Sequence, residues 1–382
     1  MENWANRKTL ILGRNEMIGL LKPGEYNDCV EQAYRIHGEG RYYMDPKGHI
    51  VLDRFPGEWE AMPSYIEEPH AAACKWVSIR EQNREKFNLP TVFSILIYTE
   101  PVTGFPLAIV DGSYHTVMRT GAASAVSAKW MARKNSKVLA IVGAGHMAEG
   151  TLATCNEVFQ WQEVRIWSRS QKTLDHFVAG QQPKYKTFKI SASTNLEGTV
   201  RGADVVVTVT PARGPIVMAD WISPGTHIAA VGADKKGDQE LEGRLLQGAR
   251  IFVDDIRQCR TDGEINVPLS QGLISENDIA GEIGHMTIDV HGRRCKCGNY
   301  GCVEAYASGP NIALRAVEAI VEELGATRLV HGTSGSASLV VAVAAAASEG
   351  SSGSLAADAG AVHLFDRGSG KSLRRGLGGA AD

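Results

Sequence analysis

Residues 137–155 read KVLAIVGAGHMAEGTLATC: an apolar strand from Val138 to Val142, a turn built on Gly143 and Gly145, and a helix-compatible run from His146. The turn has the spacing G-x-G-x-x-A, with Ala148 in the last place. A first glycine permits the tight turn, a second lets the backbone approach a pyrophosphate, and a small third residue lets the helix pack closely on the strand. The helix N-terminus then meets the negative charge with unsatisfied N–H groups. A second apolar strand, EVRIWSRS (163–170), follows, so strand, turn, helix and strand fall in order. That order is what separates a dinucleotide fingerprint from a chance pair of glycines. Gly143, Gly145, His146, Met147 and Ala148 are therefore the candidate cofactor-binding residues of the turn.

The second strand ends in Ser168-Arg169-Ser170, where an NAD-binding chain usually places an acidic residue for the ribose hydroxyls. Two hydroxyls and a guanidinium suit a 2′-phosphate, which ranks NADP above NAD and leaves NAD open. The alternative for Arg169 is a solvated loop residue.

Further strands continue the rhythm at ADVVVTVTP (203–211), THIAAVGAD (226–234) and ARIFVDD (249–255). Apolar strands alternating with helical segments predict an α/β fold, a Rossmann-type doubly wound parallel sheet. The preceding stretch is different. TLIL (9–12), an amphipathic run over 25–37, TVFSILIY (91–98) and FPLAIVDG (105–112) read as α+β. An Ala-rich run from Arg119 to Arg133 predicts a helix connecting the two parts. The expected division is 1–120, an α+β domain; 121–280, the dinucleotide domain; 281–324, a cysteine-containing segment; and 325–382, an Ala/Gly/Ser-rich tail, in part disordered by composition.

The chain has 382 residues, 43% hydrophobic and 22% charged, large enough for two cored domains. With 40 Lys+Arg against 43 Asp+Glu, and no basic block, it offers no footprint for nucleic acid or an anionic membrane. A small-molecule partner is expected. The start, MENWANRKTLIL, lacks a signal-peptide apolar core, and no run reaches the ~18 to 20 apolar residues of a membrane span, which reads as cytoplasmic. Of seven cysteines, Cys295, Cys297 and Cys302 crowd into eight residues, and in a reducing compartment such crowding suggests metal rather than disulfide.

Several stretches together resemble the ornithine cyclodeaminase/mu-crystallin family: AMPSYI (61–66), KWVS (75–78), TGFPLAIVDGSYHTVMRTGAASAVSAKWMARK (103–134), GAGHMAEG (143–150), EVRIWSRS, VGADKKGDQEL (231–241) and GEINVPLSQGLISENDI (263–279). The resemblance covers most of the first three quarters of the chain. It implies an NAD(P)-dependent oxidoreductase acting on the C–N bond of a small amino or imino acid, with the first domain serving for substrate and dimerisation, and a homodimer. It also implies that Lys75 and Arg119 hold the substrate carboxylate, as an arginine fork can do with two bonds. Asp234, at a strand's carboxyl end, is implied to move protons at the substrate amine. Glu60 matches a glutamate that cyclodeaminases place near the amine, which tilts toward a diamino acid; Lys47 matches a further carboxylate-holding cation. Asp238 stands where the family pattern G-K-x-E-L carries lysine. Ornithine cyclodeamination or ketimine reduction leads, alanine dehydrogenation is the alternative, and a non-catalytic cofactor binder or inactive fusion product is a third reading.

From Gly281 the chain reads GEIGHMTIDVHGRRCKCGNYGCVEAYASGPNIALRAVEAI, which resembles the zinc signature of the ROK family of sugar kinases and repressors. That resemblance implies a structural Zn²⁺ on His285, Cys295, Cys297 and Cys302, since one imidazole and three thiolates fill a tetrahedron. No D-x-G-G-T phosphate loop accompanies it, so sugar phosphorylation is not expected. The chain reads as two families joined at a shared G-E-I-G.

Overall fold

The computed structural model describes residues 7–67 and 69–283, and beyond them only the backbone of a few short strands. Among the described residues the chain forms two compact units, 7–22 with 41–115 and 23–40 with 116–283.

The first unit is a seven-stranded sheet of β1 (Leu10–Leu12), β2 (Tyr42–Tyr43), β3 (Gly48–Leu52), β4 (Phe55–Ile66), β5 (Ala71–Ile79), β6 (Val92–Thr99) and β7 (Pro106–Asp111). The order is β1-β7-β6-β5-β4-β2, with β3 also on β4. Neighbours run antiparallel except β1 with β7. Side chains alternate across such strands, so each strand has one face inward. In β6 Ser94, Leu96 and Tyr98 are buried while Phe93 and Ile95 are exposed; in β5 Ala71, Ala73, Lys75 and Val77 are buried. Lys75 therefore occupies a core-facing register position, which its apolar neighbours impose on it.

The second unit is built on β8 (Val138–Val142), β9 (Glu163–Trp167), β10 (Ile190–Ser193), β11 (Val205–Thr208), β12 (Arg213–Val217), β13 (His227–Ala230) and β14 (Gln239–Leu241). Five of these form a sheet ordered β10-β9-β8-β11-β13 with every pair parallel. The doubly wound sheet expected from the sequence is present. Leu139, Ile141, Val164, Ile166, Val205 and Val207 pack on one side with Leu152, Leu174 and Phe177. Ala140, Val142 and Val206 pack on the other with Val200, Val217 and Leu241. Burial on both faces is why these strands are near-continuously apolar. The winding reverses between β8 and β11, and ligands of such sheets bind at the carboxyl ends beside that reversal. The ARIFVDD strand does not extend this sheet. Its core, β15 (Ile251–Val253), pairs instead with β16 (Ile279–Glu282) in a separate parallel pair.

Two expectations need correction. The connecting helix spans Gly112–Met131, so it starts seven residues before Arg119. Asp111 caps it, its Oδ1 accepting from the amides of Ser113 at 3.2 Å and Tyr114 at 3.1 Å. Arg119 thus lies mid-helix rather than at a helix start. Residues 23–40, which the sequence leaves with the first 120, belong to the second unit. The helix Pro23–Gly38 is fastened there by Asn27 Nδ2 donating to the Thr154 carbonyl at 2.9 Å and by Glu31, which accepts from Lys129 and from the Trp130 indole.

The zinc expectation falls outside the described residues. His285, Cys295 and Cys297 are not among them, and for Cys302 only the backbone is described, in a strand paired with Met286–Thr287. In the tail, strands Leu355–Asp358, Ala361–Phe365 and Ser372–Gly376 form an antiparallel sheet. Among the described residues no helix is long and apolar enough to cross a membrane.

Candidate active site

At the end of β8 the chain turns through Gly143, whose φ of 125° is open to glycine alone. A Cβ there would lie 2.9 Å from Val209 Cγ2 and 3.0 Å from the Val209 carbonyl. Gly145, the N-cap of the helix His146–Cys155, is exposed, and a Cβ on it would meet nothing within 4 Å. The space above that turn is therefore open to a ligand, and a side chain at 145 would project into it. His146 is exposed and Met147 half-buried, while Ala148 is fully buried, as close helix–strand packing requires. The donors of this turn fit a dinucleotide pyrophosphate.

At the end of β9, Ser170 caps the helix Gln171–Gln181, its Oγ accepting from the Thr173 amide at 3.3 Å. Ser168 Oγ accepts from the Ser170 amide at 3.3 Å. Arg169 is exposed between them. Both serines shape the turn with their oxygens and keep their hydroxyl hydrogens for other partners.

The Arg119 helix and the turn helix touch backbone to backbone. A Cβ on Gly121 would lie 2.4 Å from the Gly150 carbonyl carbon, and one on Gly150 would lie 2.4 Å from the Val117 carbonyl oxygen. That crossing fixes half-buried Arg119 relative to the glycine turn. Around Tyr34 lie Asp254, Arg119 and Cys259: burial pushes the Tyr34 phenol above its usual range, Asp254 adds to the rise, and the Arg119 charge opposes it.

Asp234 is exposed on the loop that follows β13, at the carboxyl edge of the same sheet. Beneath this loop lies Glu240, with no exposed surface. Its carboxylate accepts from Thr208 Oγ1 at 2.6 Å, Thr210 Oγ1 at 2.6 Å, the Thr210 amide at 2.8 Å and the Gly232 amide at 2.9 Å. Burial nevertheless pushes its pKa up against these four bonds. Glu264, also buried, accepts from the amides of Glu240 at 3.0 Å and Leu241 at 2.7 Å. Burial and the nearby Glu240 charge raise its pKa to about 8. Sequence reading passed over both glutamates. The available signal was the Thr-x-Thr after an apolar strand, two hydroxyls that need an acceptor if buried.

In the first unit, strand register gathers Glu58, Glu60, Lys75 and Ser94 on the buried face. Glu60, 2% exposed, accepts from Lys47 Nζ at 3.1 Å and lies 3.9 Å from His49 Nδ1. His49 Nδ1 is 2.9 Å from Glu58 Oε2. Glu58 and His49 were not anticipated; their partnership depends on β3 folding back over β4. His49, Glu58 and Glu60 have donor atoms within 4.8 Å of one another, the spacing of a cation site. The Lys47 ammonium already supplies a positive charge to this cluster, which opposes a metal there. An ammonium at 3.1 Å offsets the charge of the Glu60 carboxylate.

Residues 7–297 match the ornithine cyclodeaminase/mu-crystallin family, and residues 269–351 match the ROK family. The chain is 39% identical over 279 residues to an alanine dehydrogenase of Archaeoglobus fulgidus, covering 73% of this chain and 84% of that protein. Among solved structures it is similar to an archaeal alanine dehydrogenase dimer with bound NAD, at a TM-score of 0.73 and 35% identity, covering 82% of this chain and 97% of that one. It is also similar to the Δ1-pyrroline-2-carboxylate reductase of Thermococcus litoralis in complex with NADH and L-proline, at a TM-score of 0.75 and 28% identity, covering 82% and 98%. With the glycine turn, the parallel sheet and a match running over residues 7–297, the chain belongs to the ornithine cyclodeaminase/mu-crystallin family.

Proposed function

We propose that this NAD(P)-dependent oxidoreductase is an amino-acid dehydrogenase of the alanine dehydrogenase type. It interconverts a small L-amino acid with its 2-oxo acid and ammonium, by way of the imine. The observation that carries this choice is the pairing of Glu60. The Lys47 ammonium, 3.1 Å away, already pairs with its carboxylate, so it is not set up to receive the second ammonium of a diamino acid. The tilt toward ornithine drawn from Glu60 is therefore withdrawn. The archaeal relative with alanine dehydrogenase activity supports the same reading.

A bound nicotinamide supplies the hydride acceptor or donor. The rest is asked of the chain's own groups. Lys75, on the core-facing side of its sheet, is proposed to hold the substrate carboxylate by charge, and Arg119 to do so with its planar fork. Asp234 is proposed as the general acid/base: it takes a proton from the substrate ammonium before oxidation and returns one to the nitrogen in reduction. Holding the carboxylate fixes which hydrogen faces the cofactor, and such orientation carries much of the rate. Ser168, Arg169 and Ser170 are proposed to favour NADP, with Arg169 meeting the 2′-phosphate.

Assembly as a homodimer is part of the proposal, since the archaeal relative is a dimer. In support, the outer face of the first sheet exposes Ile11, Ile50, Phe93 and Ile95, each at 40% or more. An apolar patch of that kind is a usual mark of an interface.

The test is a substrate panel followed by nicotinamide absorbance. Pyruvate with ammonium consumes reduced cofactor, and L-ornithine with oxidised cofactor yields no proline. Asp234→Asn lowers kcat by roughly 10² to 10⁴-fold and leaves the cofactor Kd unchanged. Formation of proline from ornithine with pyruvate inert would overturn the reading.

A further inference from the structure

Asp234 sits on a short arch whose two ends are tied down by side chains from elsewhere in the second unit. At the near end, the Gly232 amide donates to Glu240 Oε2 at 2.9 Å. A Cβ on Gly232 would lie 2.4 Å from the Thr210 carbonyl and 2.5 Å from Glu240 Oε2, so the backbone is pressed against its anchor. At the far end, the Gly237 amide donates to Asn266 Oδ1 at 2.9 Å, and Asn266 Nδ2 donates to the Asp238 carbonyl at 3.0 Å and the Gly263 carbonyl at 2.6 Å. Gly237 holds a φ of 89°, so the arch closes through a left-handed residue at the point where Asn266 grips it. Just beyond, Glu264 accepts from the amides of Glu240 and Leu241.

Glu264 and Asn266 are 8% and 6% exposed, whereas Asp234 is exposed. The family pattern places a lysine where this chain has Asp238, yet the grip on this loop is made through backbone groups.

We propose that Glu264 and Asn266 are positioning residues that hold residues 237–241 by their backbone, with Glu240 in turn holding Gly232, and so set the place of the Asp234 carboxylate. The proposal rests on the reading of Asp234 as the acid/base. Displacing a proton-transferring group by about 1 Å costs on the order of 10²-fold in rate, while uniform binding of the cofactor is untouched. The expected signature is therefore a fall in kcat without a loss of cofactor affinity.

The experiment uses the full chain and compares Asn266→Ala, Asn266→Asp and Glu264→Gln with the unaltered protein and with Asp234→Asn. Steady-state kinetics are run on whichever substrate of the panel is turned over, with NADH or NADPH Kd by fluorescence and amide hydrogen exchange over 232–241. Asn266→Ala is expected to lower kcat at least tenfold, keep Kd within twofold and speed exchange at Gly237. Asn266→Asp keeps an acceptor for the Gly237 amide but loses both donated bonds, and is expected to fall between. A variant that exchanges faster over 232–241 at unchanged kcat, or loses kcat and cofactor binding together, overturns the positioning role. If Asn266→Ala fails to fold, Glu264→Gln and Asn266→Asp carry the same comparison. Full turnover by Asp234→Asn removes the acid/base reading itself, whereas its inactivity beside a fully active Asn266→Ala removes only the positioning role.

Discussion

Gly143 is where one residue decides whether the cofactor turn can exist. Its φ of 125° and the 2.9 Å approach to Val209 leave no room for a methyl group. Gly143→Ala is expected to weaken NADH and NADPH binding at least tenfold in a fluorescence titration, while Gly145→Ala, with open space at its Cβ, obstructs the ligand rather than the fold. Glu264 is the second decisive residue. Its folded pKa of about 8 stands above the ordinary 4.5, so the folded protein holds a proton that the unfolded chain has lost. Stability is therefore greatest below about pH 4.5 with respect to this group, and falls as pH rises through the window up to about 8. Thermal unfolding measured from pH 6.5 to 8, above the range where the buried His227 acts in the opposite sense, is expected to show a falling Tm, and Glu264→Gln is expected to flatten that slope. Arg169→Ala is expected to weaken NADPH by about tenfold, the loss of one charge-assisted contact, with NADH unchanged.

Between elements, the crossing of the helices Gly112–Met131 and His146–Cys155 depends on the pair Gly121 and Gly150. Gly150→Ala forces a methyl group to within 2.4 Å of the Val117 carbonyl, and overpacking of this sort costs about 1–3 kcal/mol. A drop in Tm by several degrees, read by circular dichroism, is the expected result. The sequence shows both glycines but not their meeting, because close approach of two helices is a property of their packing. The Asp111 cap is likewise silent in the sequence pattern: an aspartate ending a strand reads equally well as a loop residue. Asp111→Ala is expected to cost about 1 kcal/mol in chemical unfolding.

At the scale of the molecule, the outer face of the first sheet is the feature that asks for a partner. Phe93 and Ile95 alternate with buried Ser94 and Leu96 along β6, so the exposed apolar row follows from strand period alone. Replacing both Phe93 and Ile95 by glutamate is expected to convert a dimer to monomers in sedimentation velocity, with the far-UV dichroism preserved. A dimer that survives both charges would place the interface elsewhere.

Local pattern was enough for the dinucleotide turn and the parallel sheet, because each is written in short runs whose geometry is set by chain sterics and strand or helix period, whereas Lys75, Arg119 and Asp234 stand out through the family resemblance. Tertiary structure alone decided what those residues touch. That Lys47 pairs with Glu60, with His49 beside it, follows from β3 lying back on β4. That Glu240, Glu264 and Asn266 clamp the Asp234 loop follows from chain segments some thirty residues apart meeting in a buried, low-dielectric place. Polar groups far apart in sequence find each other only when burial removes water as their alternative partner, and burial is a property of the folded whole.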